Sequence, residues 1–183
     1  MNAVLFANKL FATETLVVQL VIALGIVYLL FFRKKQFAMV AFFTSHALLI
    51  AFGLSLGAML GSLFYSEFAG FAPCDLCWFQ RIFMYPLVLL LGVALIKKDN
   101  HIVDYVLSLS VIGLIISLYH NYMYYYNGGL NVYCLFGSSS ISCIKRYVFE
   151  FGYITIPMMA LTHFAFITLL FILLRLEKNR NHE

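Results

Sequence analysis

Two cysteines separated by two residues, Cys74 and Cys77, lie just before a long apolar stretch of the sequence. A Cys-x-x-Cys pair can close to a small, reactive disulfide, and the thiolate is the form that attacks another sulfur. If a helix begins near Trp78, Cys77 lies at its start, where free backbone N–H groups and the helix dipole stabilise a negative sulfur. Arg81, four residues after Cys77, falls on the same helical face and adds a fixed positive charge. Both features favour the Cys77 thiolate.

The same spacing also suits two structural roles. Cys74 and Cys77 could form a structural disulfide or half of a zinc site, and Arg81 could simply reach towards lipid headgroups. The motif alone does not distinguish these structural roles from redox chemistry. The composition and topology of the surrounding sequence are needed to choose between them.

The composition is that of a membrane protein. The chain has 183 residues, of which 63% are hydrophobic and 11% charged, and its mean hydropathy is +0.93. These few polar groups cannot cover a water-soluble globule of this size. Apolar stretches at about 15–32, 37–66, 78–96, 102–123 and 154–174 predict five transmembrane helices. The second is longer than one span needs, so we expect it to tilt or to project from the bilayer.

Lysine and arginine residues divide unequally between the two ends of these helices. Eight share one side: Arg33, Lys34, Lys35, Lys97, Lys98, Arg175, Lys178 and Arg180. Lys9, Lys145 and Arg146 lie on the other side. The positive-inside rule therefore predicts an N-terminus outside and a C-terminus inside. The first stretch lacks a basic leader and a cleavage site, which predicts a retained anchor.

This topology places all the cysteines, Cys74, Cys77, Cys134 and Cys143, on the oxidising side of the membrane, where disulfides persist. Of the possible pairings, Cys74 with Cys77 and Cys134 with Cys143 is the easiest to close. Two disulfides on one face can relay electrons from a soluble dithiol to the membrane by exchange. Zinc fits poorly because Cys134 and Cys143 are nine residues apart, and we predict no metal.

Electrons that reach Cys77 need an acceptor. The sequence has no haem-attachment, dinucleotide-binding or iron–sulfur motif. By elimination we predict a lipid-soluble quinone, with Arg81 available to polarise one of its oxygens. Trp78, Phe79 and Phe83 could line this site, although aromatic residues at a membrane interface more often form a belt.

Three further patterns bear on the site. Histidines within predicted spans are His46, His120 and His163. Each is expected to be neutral and hydrogen-bonded, and only His120 is a candidate proton donor. Glycines at every fourth position, Gly53, Gly57 and Gly61, favour close helix packing over ligand binding. Beyond Ile141, apolar residues at helical spacing predict a short helix on the membrane surface, which would hold Cys143 near the Cys74–Cys77 pair.

The segment from Cys74 to Pro86 resembles the DsbB family, disulfide bond formation protein B. The order Trp-x-Gln-Arg-Ile followed by Tyr-Pro is most similar to its BdbC branch. A later outer loop with two cysteines and the run from Phe151 to Pro157 carry the same resemblance, which covers about residues 37–175.

The resemblance implies a four-helix core that binds a quinone, either ubiquinone or menaquinone, beside the first outer loop. Cys77 would contact the quinone, with Cys74 as its partner and Arg81 beside the ring. Cys134 would form a mixed disulfide with a DsbA-like, thioredoxin-fold oxidase, and Cys143 would then attack Cys74. The implied activity is that of a membrane thiol:quinone oxidoreductase in the bacterial cytoplasmic membrane.

The predicted fold is thus an all-α integral membrane protein with two parts. Residues 1–36 form an additional N-terminal transmembrane helix, and residues 37–183 form a four-helix redox domain with outer loops at about 67–77 and 124–153. Two other functions stay open. One is a vitamin K epoxide reductase-like enzyme, disfavoured because the two-cysteine loop follows the motif. The other is a non-enzymatic protein whose disulfides only staple its loops.

Overall fold

The structure is a computed structural model that describes residues 2–31, 38–97, 102–126 and 146–180. These residues form helices and no β-strand. The helices are α1 (Asn2–Phe31), α2 (Ala38–Ser45), α3 (Ala47–Leu63), α4 (Asp75–Lys97), α5 (Val103–Tyr126) and α6 (Ile156–Arg180), and a π-helical turn (Phe64–Phe68) extends α3. Within these ranges five helices, all but α2, are long and apolar enough to cross a membrane. The predicted five spans and the all-α membrane fold are confirmed.

Helices α3 to α6 form the bundle, in which each helix packs on the next and α6 also contacts α3. Leu87, Leu91, Phe164 and Phe171 are fully buried in its centre. Small polar side chains add bonds between helices, as where Thr168 Oγ1 donates to Ser110 Oγ at 3.1 Å. Close packing and such bonds hold membrane helices together because lipid gives little hydrophobic drive for their association.

The additional helix α1 packs along α6. Near its middle, Gln19 Nε2 donates to Thr162 Oγ1 at 3.0 Å, and further on Gly25 lies against Leu169. The later residue of α1 contacts the later residue of α6, so the two helices run parallel. The start of α1 therefore lies at the same end of the bundle as the start of α6.

The predicted span at 37–66 is not one continuous helix, since α2 and α3 are separated at His46. The His46 backbone, at φ −107° and ψ 13°, leaves the helical region. Ser45 Oγ donates to the carbonyl oxygen of Phe42 at 3.0 Å, and His46 Nδ1 lies 3.0 Å from the same oxygen. The His46 amide still donates to the Phe42 carbonyl oxygen at 3.1 Å, so these side chains crowd one carbonyl of the helical ladder, and such competition disturbs a regular helix.

The predicted surface helix beyond Ile141 is wrong for its described part, while residues 141–145 lie outside the described residues. From Arg146 the chain is irregular, with a bend at Tyr147, and it then turns back through a bridge between Glu150 and Ile154. Phe151 at φ 51° and Gly152 at φ 79° occupy the left-handed region that closes this turn. A right-handed helix cannot accommodate these angles. The apolar residues of this segment therefore do not form one face of a helix.

Candidate functional site

Cys74 and Cys77 lie where α4 begins. The helix starts at Asp75, earlier than the predicted start near Trp78, and the Trp78 amide donates to the carbonyl oxygen of Cys74 at 3.1 Å. The two Sγ atoms are 3.2 Å apart and in hydrogen-bonding contact. Sulfurs in a disulfide are about 2.0 Å apart, so a small movement of either side chain can convert the dithiol into a disulfide.

His120, the histidine favoured on sequence grounds, is brought to this pair from α5. It is 1% exposed, and its Nε2 lies 3.8 Å from Cys74 Sγ. The hydrogen bond with Cys77 and burial raise the pKa of the Cys74 thiol, and the contact with His120 offsets part of that rise. Cys74 is therefore the member of the pair that keeps its proton when both are reduced.

Arg81 is buried, at 8% exposure, one helical turn from Cys77. Its Nε donates to Ser62 Oγ at 2.9 Å, and its Nη2 donates to the Ser62 carbonyl oxygen at 3.0 Å. Its guanidinium also lies over the Trp78 ring, 5.2 Å from the centroid. Ser62, which sequence reasoning missed, thus fixes the arginine from α3, and a buried charge needs such partners.

Two cavities meet at this site. The outer cavity, of about 70 Å³, contains Cys74 and His120 in its lining. The inner cavity, of about 120 Å³, lies between α1, α3, α4 and α6 and contains neither of them. The residues that line both are Ser62, Tyr65, Cys77, Arg81 and Ile156. Cys77 and Arg81 therefore form part of the boundary between the two spaces, whereas Cys74 faces the outer one alone.

The outer cavity is bordered by the two outer loops. Phe71 in the first loop stacks on Tyr147 in the second, with ring centroids 4.6 Å apart. Val148 is buried beside them at 3% exposure, and the Arg146 guanidinium lies over the Tyr124 ring at 5.5 Å. These contacts hold residues 146–148 beside the cavity that contains Cys74. Cys134 and Cys143 themselves lie outside the described residues, and their roles stay predictions.

The aromatic lining of the site does not come from Trp78, Phe79 or Phe83, for which a belt at the membrane interface was the more common alternative. Trp78 is 54% exposed, and neither it nor Phe79 nor Phe83 lines either cavity. Phe11 of α1 and Tyr65 contribute rings to the inner cavity instead. Sequence reasoning missed Tyr65 because a tyrosine at the end of an apolar helix is typical of any membrane interface.

The glycine prediction holds at one of its three positions. A Cβ at Gly61 would lie 3.0 Å from the ring of Phe11, so α1 does approach α3 closely there. Gly53 and Gly57 have no neighbouring atom within 4 Å of such a Cβ. Gly57 lines the inner cavity, so the close packing predicted for it is wrong.

Two buried polar side chains of the inner cavity have no hydrogen-bond partner among the described residues. They are Tyr65, whose Oη is unpaired, and His163, whose two ring nitrogens are both unpaired. The residues are 6% and 5% exposed. The expectation of a hydrogen-bonded His163 is therefore wrong within the described part of the chain. Unpaired buried polar atoms are costly, and a ligand with oxygen acceptors or donors would satisfy them.

A metal ion is a second ligand to consider. The Sγ atoms of Cys74 and Cys77 and a ring nitrogen of His120 all lie within 4.8 Å of one another. Such a set could accommodate a thiophilic ion with one open position. The same two thiols are consumed in any disulfide exchange, and the absence of a metal stays a prediction.

Comparison with known proteins identifies the family. The family model described as disulfide bond formation protein DsbB matches residues 44–174. Disulfide bond formation protein C of Bacillus subtilis is 43% identical over 127 residues, which cover 69% of this chain and 90% of that protein. Probable disulfide formation protein C 1 of Bacillus cereus is 46% identical over 121 residues, or 65% of this chain and 84% of the relative. No solved structure matches the chain. With more than half of its length matched, the chain belongs to the DsbB family of disulfide bond formation proteins.

Proposed function

We propose that the chain is a membrane thiol:quinone oxidoreductase that reoxidises an extracytoplasmic, DsbA-like dithiol oxidase and passes the electrons to ubiquinone or menaquinone. Its products are the oxidised partner protein and a quinol, so that disulfides are made de novo. The enzyme acts in the bacterial cytoplasmic membrane, with its redox cysteines on the extracytoplasmic side.

The position of Cys77 between the two cavities is the observation that carries this proposal. The outer cavity gives protein thiols access to Cys74, and the inner cavity gives a membrane-soluble molecule access to Cys77. A structural disulfide needs no space on either side of it. Two sulfurs in contact, of which Cys74 borders the outer space and Cys77 also borders the inner one, suit an electron relay between a protein and a lipid-soluble acceptor.

The inner cavity fits a quinone. Its walls are mainly apolar, and the unpaired Tyr65 and His163 offer donors to ring oxygens. When bound, a quinone supplies the acceptor for the two electrons and two protons that Cys74 and Cys77 release on closing to a disulfide. Arg81, held by Ser62, stabilises negative charge on Cys77 and on an adjacent oxygen. Burial of Arg81 excludes water and strengthens both effects.

On the outer side, Cys74 is the sulfur that receives electrons from the loop cysteines. Cys134 forms the mixed disulfide with the partner oxidase, and Cys143 then attacks Cys74. Tyr147, four residues after Cys143, lines the outer cavity. Four residues of extended chain reach at most about 14 Å, a length that allows Cys143 to approach Cys74. His120 Nε2 is positioned to hold a proton at Cys74 Sγ during the exchange.

The proposed sidedness rests on the positive-inside rule. Among the described residues, Lys97 ends α4 and Arg175 lies near the end of α6, so both are remote from the cysteine pair at the start of α4. Lys98 and the cluster Arg33–Lys35 lie outside the described residues. Labelling of single cysteines with a membrane-impermeant maleimide in intact cells tests this orientation.

The function is tested by quinone reduction with the purified full chain in detergent. The electron donor is a reduced thioredoxin-fold dithiol protein, and decylubiquinone and menadione are the probes. The wild type is expected to form quinol from at least one of them. Cys77→Ser is expected to lose at least about a hundredfold in rate, because the nucleophile is removed.

Cys134→Ser serves as the matched control. It keeps Cys74 and Cys77, so quinone reduction driven by dithiothreitol should persist while reduction driven by the protein donor is lost. If the wild type reduces neither quinone and its disulfides stay intact under both donors, the proposal fails. The protein is then a membrane scaffold with structural disulfides.

A further inference from the structure

Helix α1 is docked specifically, although it precedes the family match at residues 44–174. Its Gln19 is hydrogen-bonded twice to the bundle: Nε2 donates to Thr162 Oγ1 at 3.0 Å, and Oε1 accepts from Tyr153 Oη at 2.6 Å. Phe11 packs against the Tyr65 ring, with centroids 5.7 Å apart. A helix that only anchored the chain in lipid would need none of these contacts.

One face of α1 lines the inner cavity. The residues are Phe11, Glu14, Thr15 and Val18, a spacing that follows one side of an α-helix over two turns. Glu14 is a carboxyl group within an apolar span, where ionisable residues are rare and tend to face internal cavities. The cavity would be open to lipid on this side if α1 were absent.

The opposite walls extend along the same length. On α4 the lining runs from Cys77 to Met84, and on α6 it runs from Ile156 to His163. Each run rises about 10 Å along its helix. Since α6 begins at the end where Cys77 lies, His163 is at the far end of the cavity from Cys77. Among the residues that line this cavity, its ring nitrogens are the buried unpaired polar atoms at that end.

We infer that α1 is a wall of the quinone site, and that His163 hydrogen-bonds the quinone oxygen remote from Cys77. A quinone ring carries oxygens on opposite sides, and the cavity offers polar groups at opposite ends, with Arg81 and Tyr65 near Cys77 and His163 away from it. This inference rests on the proposed function. It assigns a role to a helix outside the matched family region and to a histidine that the electron relay does not use.

Filling the cavity from α1 tests the first part. Val18 lines the cavity, whereas Val17 beside it is 56% exposed to the lipid side, so Val18→Phe and Val17→Phe add the same volume to different spaces. Val18→Phe is expected to raise the KM for decylubiquinone at least about tenfold, and Val17→Phe is expected to leave it unchanged. The oxidation of the reduced partner protein in a single turnover without quinone should be normal in both variants. If Val18→Phe is poorly folded, Val18→Leu, which adds one methylene, replaces it.

The histidine is tested by two substitutions. His163→Phe removes both ring nitrogens and should clearly reduce the rise in Tm that decylubiquinone gives the wild type, because stabilisation by a ligand falls with the logarithm of its affinity. His163→Gln keeps an N–H donor and should retain most of that rise. A merely structural role for His163 would change the Tm of the free protein and not the shift on binding.

The outcomes separate the two proposals. If the wild type reduces quinone and Cys77→Ser does not, the function holds, and unchanged quinone kinetics in Val18→Phe would then overturn the role of α1 alone. Equal Tm shifts in His163→Phe and the wild type would overturn the role of His163. If the wild type reduces no quinone, the proposed function and this inference fall together.

Discussion

Helix α6 packs against α5 and against α1, and these two interfaces differ in how densely side chains fill them. Against α5 the packing leaves no space: Phe164 is 0% exposed, and its ring occupies the place that a Cβ of Gly113 would need. Against α1 the contact is made by the hydrogen bond from Gln19 to Thr162 and by the close approach of Gly25 to Leu169, and a second bond joins Gln19 to Tyr153 just before α6. Beside these points lies the inner cavity, of about 120 Å³.

The difference indicates that the α5–α6 and α1–α6 interfaces contribute differently to stability and to ligand binding. In lipid, dense packing is the main source of helix association, so the filled α5–α6 interface should carry most of the stability. Atoms that line a void lose dispersion contacts on one side, so a cavity costs stability. A hollow α1–α6 interface is therefore best explained by a ligand that fills it. The comparison predicts large effects on folding at the first interface and smaller, ligand-linked effects at the second.

The largest effect is expected at Gly113. In Gly113→Ala the new methyl group meets the Phe164 ring directly, and one of the two helices has to move. Overpacking of this kind costs about 1–3 kcal/mol, and occasionally more. Thermal unfolding in detergent should show a clear drop in Tm, while the KM for quinone should not change in the protein that remains folded.

Gly53→Ala is the matched control, since a Cβ at Gly53 meets no atom within 4 Å. In a helix this change is neutral or slightly stabilising because alanine has the higher helix propensity. Equal Tm values for Gly113→Ala and Gly53→Ala would show that the α5–α6 interface is looser than its geometry indicates.

Much of this fold could be predicted from the sequence. Span length and apolar composition fix the five transmembrane helices, because a bilayer accepts few alternatives. The break at His46 could not be predicted, since it depends on where the Ser45 and His46 side chains direct their hydrogen bonds. The turn at Phe151 and Gly152 could not be predicted, because a few apolar residues at helical spacing in so short a segment do not distinguish a helix from an irregular chain.

The candidate site also has a part that the sequence predicts and a part that it does not. The Cys-x-x-Cys spacing and Arg81 are local features, one helical turn apart, and the sequence alone brings them together. Ser62, Tyr65 and His163 reach the site from other helices, and helix packing decides which face of each points inward. The docking of α1 could not be predicted for the same reason: its apolar composition is that of a plain anchor, and its contacts lie on another helix.

The hollow interface should respond moderately when its hydrogen bonds are removed. Gln19→Leu deletes the bonds to Thr162 and to Tyr153, and bonds between membrane helices contribute about 0.6 kcal/mol each on average. We expect a loss of about 1 kcal/mol in stability together with a higher KM for decylubiquinone, because α1 shifts at the cavity. Tyr153→Phe, which deletes one of the two bonds, should give about half of each change. A loss of stability in Gln19→Leu without any change in KM would show that α1 is not a wall of the proposed quinone site.

The smallest effect is expected from the ion pair at the far end of the filled interface. Arg175 Nη1 lies 3.3 Å from Asp104 Oδ1, and the side chains are 58% and 71% exposed. Exposed pairs contribute about 0–1 kcal/mol because water and salt screen them. Asp104→Asn should therefore change the Tm far less than Gly113→Ala. In 0.5 M salt, where the Debye length is about 4 Å, the Tm of Asp104→Asn should equal that of the wild type. A drop in Tm as large as that of Gly113→Ala would mean that charge, and not packing, holds α5 to α6, and the contrast between the two interfaces of α6 would need another cause.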